Sequence, residues 1–101
     1  MESIFYTLSL MNIIKYEDSG HAWYAVPKQI LLDWGIASKI SGFSYQDADQ
    51  IAYLEEDNDA AVFFTEADRR GLQASIKFSE VYTDGESIVR SLEPYKYTEK
   101  P

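Results

Sequence analysis

Apolar side chains occupy alternate positions at Ile4, Tyr6, Leu8 and Leu10, and Ile14 and Tyr16 keep that parity beyond Asn12. A period of two predicts extended chain, read as one bent or interrupted strand. Asp18-Ser19-Gly20 is a turn signal, so residues 21–26 are expected to return as the second arm of a hairpin. Pro27 suits the first position of a helix, where its missing N–H costs nothing. Ile30 and Trp34 then share one face over residues 27–34, with Leu31 beside them. Gly35 supplies a left-handed cap, and Ile36 is placed to fold back as the hydrophobic partner of a Schellman ending.

Farther along, residues 40–46 and 50–55 read as two short strands around Asp47-Ala48-Asp49, bridged by Tyr45, Ile51 and Tyr53. Asp57, Asn58 and Asp59 are the candidate caps of a second helix over 60–70. Its apolar face is Ala60, Phe63, Phe64 and Ala67, its last turn carries Arg69 and Arg70, and Gly71 ends it. Leu72, Ala74, Ile76 and Phe78 alternate with polar neighbours, which predicts a strand over 72–79 with one buried and one wet face. Thr83-Asp84-Gly85 turns the chain, Ile88 and Leu92 suit one or two helical turns before Pro94, and 96–101 is expected to fray. The order describes a single α+β domain over 1–95. Its mostly antiparallel sheet of about five strands carries two or three short helices on one face.

The composition supports a folded chain and restricts its chemistry. Hydrophobic residues at 46% and aromatics at 15% are enough for a core in 101 residues, so wholesale disorder is excluded. Cysteine is absent, which removes disulfides, thiolate nucleophiles and thiolate metal sites. His21 is the single histidine, and a lone strand histidine is more often hydrogen-bonded structure than a catalyst. The chain has no G-x-S-x-G elbow, G-x-G-x-x-G turn, Walker loop or H-E-x-x-H pair. Paired carboxylates suited to glycoside hydrolysis would need a substrate cleft that a domain this small has little room for. No enzyme is expected, and no cofactor.

Charge is the most uneven property. Between Lys39 and Arg69 there is no Lys or Arg, yet eight acids fall there; the other nine acids are matched by nine bases, so these eight equal the net charge of -8. Six of them, Asp47, Asp49, Glu55, Glu56, Asp57 and Asp59, lie on the predicted turn and strand-to-helix junction. Three readings compete. The acids form a solvated edge that keeps the protein soluble and supplies anions to a helix N-terminus. Or they form a surface complementary to a basic groove, borrowing the attraction that nucleic-acid phosphates would supply. Or Asp47, Asp49, Asp57 and Asp59 are hard calcium ligands, although no EF-hand order is met. Direct nucleic-acid or anionic-membrane binding is opposed by the charge, and no basic patch accompanies the aromatics. Trp23, Tyr24, Trp34, Phe43, Tyr45 and Tyr53 are mostly expected in the core, with one or two left exposed as interface anchors.

Residues 20–27, followed by Leu32-Asp33-Trp34-Gly35-Ile36, by residues 39–45 and by residues 53–60, resemble a group of small acidic proteins encoded by bacteriophages and plasmids. The resemblance covers residues 11 to about 90, with Met11 a second candidate start and residues 1–10 an added arm. It carries no catalytic or binding residues with it. It implies a setting in which small acidic proteins bind host machinery, with anti-CRISPR and other anti-defence inhibitors a recurring outcome. The expectation is a non-enzymatic inhibitor or modulator of a nucleic-acid-handling complex in the bacterial cytoplasm. Its partner would be a host protein with a basic groove, contacted by the six acids named above. The alternative is a structural or assembly accessory protein acting as a homo-oligomer, such as a homodimer, through exposed aromatics or a free strand edge, with the N-terminal segment the first candidate edge.

Overall fold

A computed structural model describes residues 11–98, and the expected alternating segment at Ile4 to Leu10 lies outside them. Strands β1 (Met11–Glu17) and β2 (Ala22–Pro27) form the expected hairpin, with Ile14 opposite Ala25 and Tyr16 opposite Trp23. Asp18 closes the turn, its N–H donating to the His21 carbonyl and its carboxylate accepting the Gly20 and His21 amides. Helix α1 (Lys28–Asp33) follows directly. Pro27 is its N-cap and the last residue of β2, one position earlier than expected.

Helix α1 and the next described helix end in the same local device. The Gly35 amide donates to the Leu32 carbonyl and the Ile36 amide to that of Leu31. After α2 (Asn58–Arg69) the Gly71 amide donates to Asp68 and the Leu72 amide to Ala67. This is the paired hydrogen bonding of the Schellman motif, and both glycines sit at φ 71° as it requires.

The remaining strands are β3 (Tyr45–Gln46), β4 (Ile51–Glu55), β5 (Ile76–Tyr82) and β6 (Glu93–Pro94). The six strands form one mixed sheet in the order β5-β1-β2-β4-β3-β6. β5 runs parallel to β1 along the whole length from Met11↔Ile76 to Glu17↔Tyr82, and the other pairings are antiparallel. The α+β expectation holds, with one strand more than expected and a parallel pair at one side. Among the described residues there is one main helix besides the short α1, and single 3-10 turns stand at Ala37–Lys39, Gln73–Ser75 and Ile88–Ser91.

Three boundaries move for physical reasons. Residues 40–44 do not extend, because Ser41 donates its amide and hydroxyl to the carboxylate of Asp59 and the Ser44 amide turns back to the Ser41 carbonyl. The last strand begins at Ile76 and not Leu72, since the Schellman ending of α2 draws the Leu72 amide back and a 3-10 turn follows. It also lacks the expected buried face: Ile76 is half-buried and the rest of β5 is exposed, as an edge strand with one neighbour among the described strands. At the other edge the Tyr95 amide donates to Ser44 and the Lys96 amide to the Gln46 side chain, so order continues into the segment expected to fray.

The core fills the space between the sheet and the helices. Ile13, Val26, Ala52 and Leu54 point to that side, against Ile30, Leu31 and Trp34 of the α1 region and Ala60, Phe63 and Ala67 of α2. Phe63 is fully buried and stacks on Trp34 with ring centroids 5.2 Å apart, a burial that stabilises by roughly 1.5–3 kcal/mol. Strand alternation sends Trp23, Ala25, Tyr45, Tyr53 and Glu55 to the opposite face. There the connection from β5 to β6 lays the Arg90 guanidinium 5.4 Å from the Trp23 ring centroid.

Candidate protein-binding cleft

The six acids singled out from the sequence do not share one surface. Asp47 and Asp49 lie at the start of β4, whereas Glu55 to Asp59 lie at its end, about 13 Å away at ~3.3 Å per residue. For the same reason the four aspartates considered as calcium ligands are divided between the two ends. Among the described residues no group of three or more His, Asp or Glu is placed to hold a metal ion.

Three of the six are occupied by the fold. The Asp47 carboxylate accepts the Asp49 and Ile51 amides at 2.9 and 3.1 Å and the Tyr53 hydroxyl at 2.7 Å, shaping a turn in which Gln50 takes φ 68°. Glu55 caps α2 from the end of β4: its carboxylate accepts the amides of Asp57, Asn58 and Asp59. Asp57 stands at the N-cap position, yet its own side chain caps nothing. Burial pushes the Glu55 carboxyl up, but these three amides outweigh it and hold the group below the ordinary carboxylate range.

Asp59 requires a correction, because it is 2% exposed and has no surface to offer a partner. It accepts the Ser41 hydroxyl at 2.7 Å and the Ser44 hydroxyl at 2.6 Å besides the Ser41 amide. Ser44 in turn accepts the Glu55 amide at 2.9 Å. One buried carboxylate thereby ties the loop 41–44 to the start of α2 and the end of β4. Asp49, Glu56 and Asp57 are the members of the set whose side chains are exposed.

The tied loop presents Phe43 to solvent at 82% exposure, its amide held by the Ser41 hydroxyl. Phe43 forms one wall of an open cleft of about 360 Å³ on the sheet face away from the helices. His21, Tyr45, Glu55, Asp57 and Asn58 complete its rim, and Trp23 and Arg90 form its floor. Trp23 is buried between neighbours: the Tyr45 ring meets it edge-on at 6.1 Å, the His21 ring at 6.0 Å, and Arg90 lies over it. Arg90 also grips Asp18 through Nε at 2.7 Å and Nη2 at 3.0 Å. That bidentate contact, joined by the Ser87 amide, holds the Asp18 carboxyl far below the ordinary range, and it fixes the connecting segment across the sheet.

The cleft therefore carries aromatic walls, two carboxylates and one internally paired arginine. Among the described residues no helix is long and apolar enough to cross a membrane. The aromatic richness of residues 23–53 was visible in the sequence, but the exposed member was not. Phe43 fell within residues 40–46, expected as a strand, and its exposure follows from the loop that Ser41 and Ser44 form with Asp59 instead. Arg90 carried no signal at all, since its partner Asp18 is 72 residues away. No protein-family model, curated protein or solved structure matches the chain.

Proposed function

We propose that this chain is a non-enzymatic binding protein of phage or mobile-element origin that inhibits or modulates a host nucleic-acid-handling complex by occupying a basic groove. The observation that carries the binding role is Phe43, an almost fully exposed aromatic on a loop anchored by a buried carboxylate. An exposed phenylalanine adds nothing to the core, and anchoring it lowers the entropy lost on docking, as in interface hot spots. The exposed Asp57 lines the same cleft as Phe43, and the net charge of -8 favours a basic surface as the complement.

The test is affinity capture from nuclease-treated bacterial lysate along a salt gradient, followed by binding measurements on the purified target. Joint neutralisation by Asp49→Asn, Glu56→Gln and Asp57→Asn is expected to leave the fold intact, abolish binding and restore nucleic-acid binding by the target. Unchanged affinity in that variant would sink the acidic-surface mechanism.

Self-assembly is the second reading, and β5 favours it. This edge strand exposes Phe78, Val81 and Tyr82 along seven residues with one side unpaired among the described strands. A monomer in light scattering at high concentration, unchanged by Val81→Lys, removes this reading.

A further inference from the structure

We propose that the cleft beside Phe43 is a receptor for an arginine side chain of the partner protein. The inference rests on the protein-binding reading above and names the chemistry of its contact. A space of about 360 Å³ sits at the small end of the roughly 300–1,000 Å³ of small-molecule sites, a size suited to one long side chain.

The polarity of the rim selects a cation. Asp57 lines the cleft with a carboxylate that makes no hydrogen bond or ion pair among the described residues; its amide is already held by Glu55. Glu55 places a second negative charge on the same wall. An anionic ligand is opposed, because the first amides of α2, which would otherwise attract it, are already taken by Glu55. The one cation in the lining, Arg90, is neutralised by its two bonds to Asp18.

The walls select arginine among cations. The rings of His21, Phe43 and Tyr45 border the space, and a flat, weakly hydrated guanidinium stacks on such rings while forking to a carboxylate. The molecule uses this arrangement once internally, Arg90 lying 5.4 Å from the centroid of Trp23 while forking to Asp18, and it sets a second guanidinium, that of Arg70, 5.3 Å from the centroid of Trp34. In the cleft the Phe43 ring is open to solvent at 82% exposure, and Asp57 is the carboxylate still open to a fork.

The experiment titrates the isotope-labelled whole protein with the tripeptide acetyl-Gly-Arg-Gly-amide and follows amide shifts by NMR. Parallel titrations use its citrulline counterpart, which keeps the shape and removes the charge, and its lysine counterpart. Saturable shifts centred on His21, Phe43, Tyr45 and Asp57 are expected, with citrulline giving no saturable shift and lysine binding more weakly. Phe43→Ala is expected to weaken arginine binding by about two- to fivefold. Equal response to citrulline, shifts spread evenly over Asp47, Asp49 and Glu56, or no saturation would each overturn the proposal. The fate of the broader reading is separable. If the target loses affinity for the Asp49→Asn, Glu56→Gln double variant but binds Phe43→Ala normally, the arginine receptor is wrong and the acidic surface stands. If arginine binds here and no basic protein competes for the cleft, the inhibitor reading fails alone.

Discussion

The hydroxyl of Ser44 donates to the carboxylate of Asp59 at 2.6 Å, and the same Ser44 oxygen accepts the backbone amide of Glu55. Through this pair the loop that bears Phe43, the end of β4 and the first turn of α2 become one rigid unit. Asp59→Ala leaves the Ser41 amide and the Ser44 hydroxyl without their acceptor in a dry site. The expected loss is about 2–4 kcal/mol, read as a lower urea midpoint. Asp59→Asn keeps the volume and one acceptor and is expected to lose less. In both variants Phe43 should gain mobility, seen as sharper ring resonances and faster exchange of the Phe43 amide.

Gly35 and Gly71 close the two helices at φ 71°. A Cβ at either position meets open space, so the whole effect of alanine there is backbone strain. Gly35→Ala and Gly71→Ala are each expected to destabilise by about 1–2 kcal/mol, and to couple in the double variant, because Arg70 at the end of α2 donates to the Trp34 carbonyl at the end of α1 and lies over its ring. Urea titration of the single and double variants tests this. Gly42→Ala, which also meets open space without a left-handed φ, serves as the neutral control.

Acid stability is set chiefly by carboxylates held below their ordinary range. Arg90 lowers Asp18 strongly. Arg69, against a smaller opposing effect of burial and with help from Arg70, lowers Glu66 to about 2. A depressed folded value means that the stabilisation is complete above the unfolded value, about 4 for these side chains, and is lost as pH falls through the folded one. The fold is therefore expected to hold steady down to about pH 4 and weaken progressively below it. Asp18→Asn should make the acid limb shallower, since one proton fewer is taken up on unfolding. An equally steep limb in that variant would show that Asp18 is not a contributor.

The phenols give the opposite sign. Burial raises Tyr53 above the ordinary tyrosine value, reinforced by its hydrogen bond to the Asp47 carboxylate, and burial also raises Tyr95, whose hydroxyl donates to the Ala37 carbonyl. Such groups add stability below the unfolded value, about 10, and lose it as pH rises through the folded one. Absorbance titration should find phenols that ionise late, with Tyr53→Phe and Tyr95→Phe each removing part of that fraction. Tyr53→Phe should also cost about 0.5–1.5 kcal/mol, because Asp47 loses a donor.

The amino-acid sequence by itself determined the features whose causes lie within a few residues of one another. The hairpin turn at Asp18, the helix after Pro27, the apolar stripe of α2 and the glycine endings at Gly35 and Gly71 all follow from local period and local backbone preference. The surplus of acids was equally plain from counting. Their fates were not, because a carboxylate is a hydrogen-bond acceptor before it is a surface charge, and its donors are chosen by the tertiary fold. Asp59 met Ser41 and Ser44, 18 and 15 residues away, and became a buried anchor. Glu55 capped a helix from a strand, and Asp18 found Arg90 across the sheet. The strand order, the parallel pairing of β1 with β5, and the exposure of Phe43 beside Asp57 belong to that second class. Each depends on which distant segments lie side by side, and no periodicity along the chain encodes that.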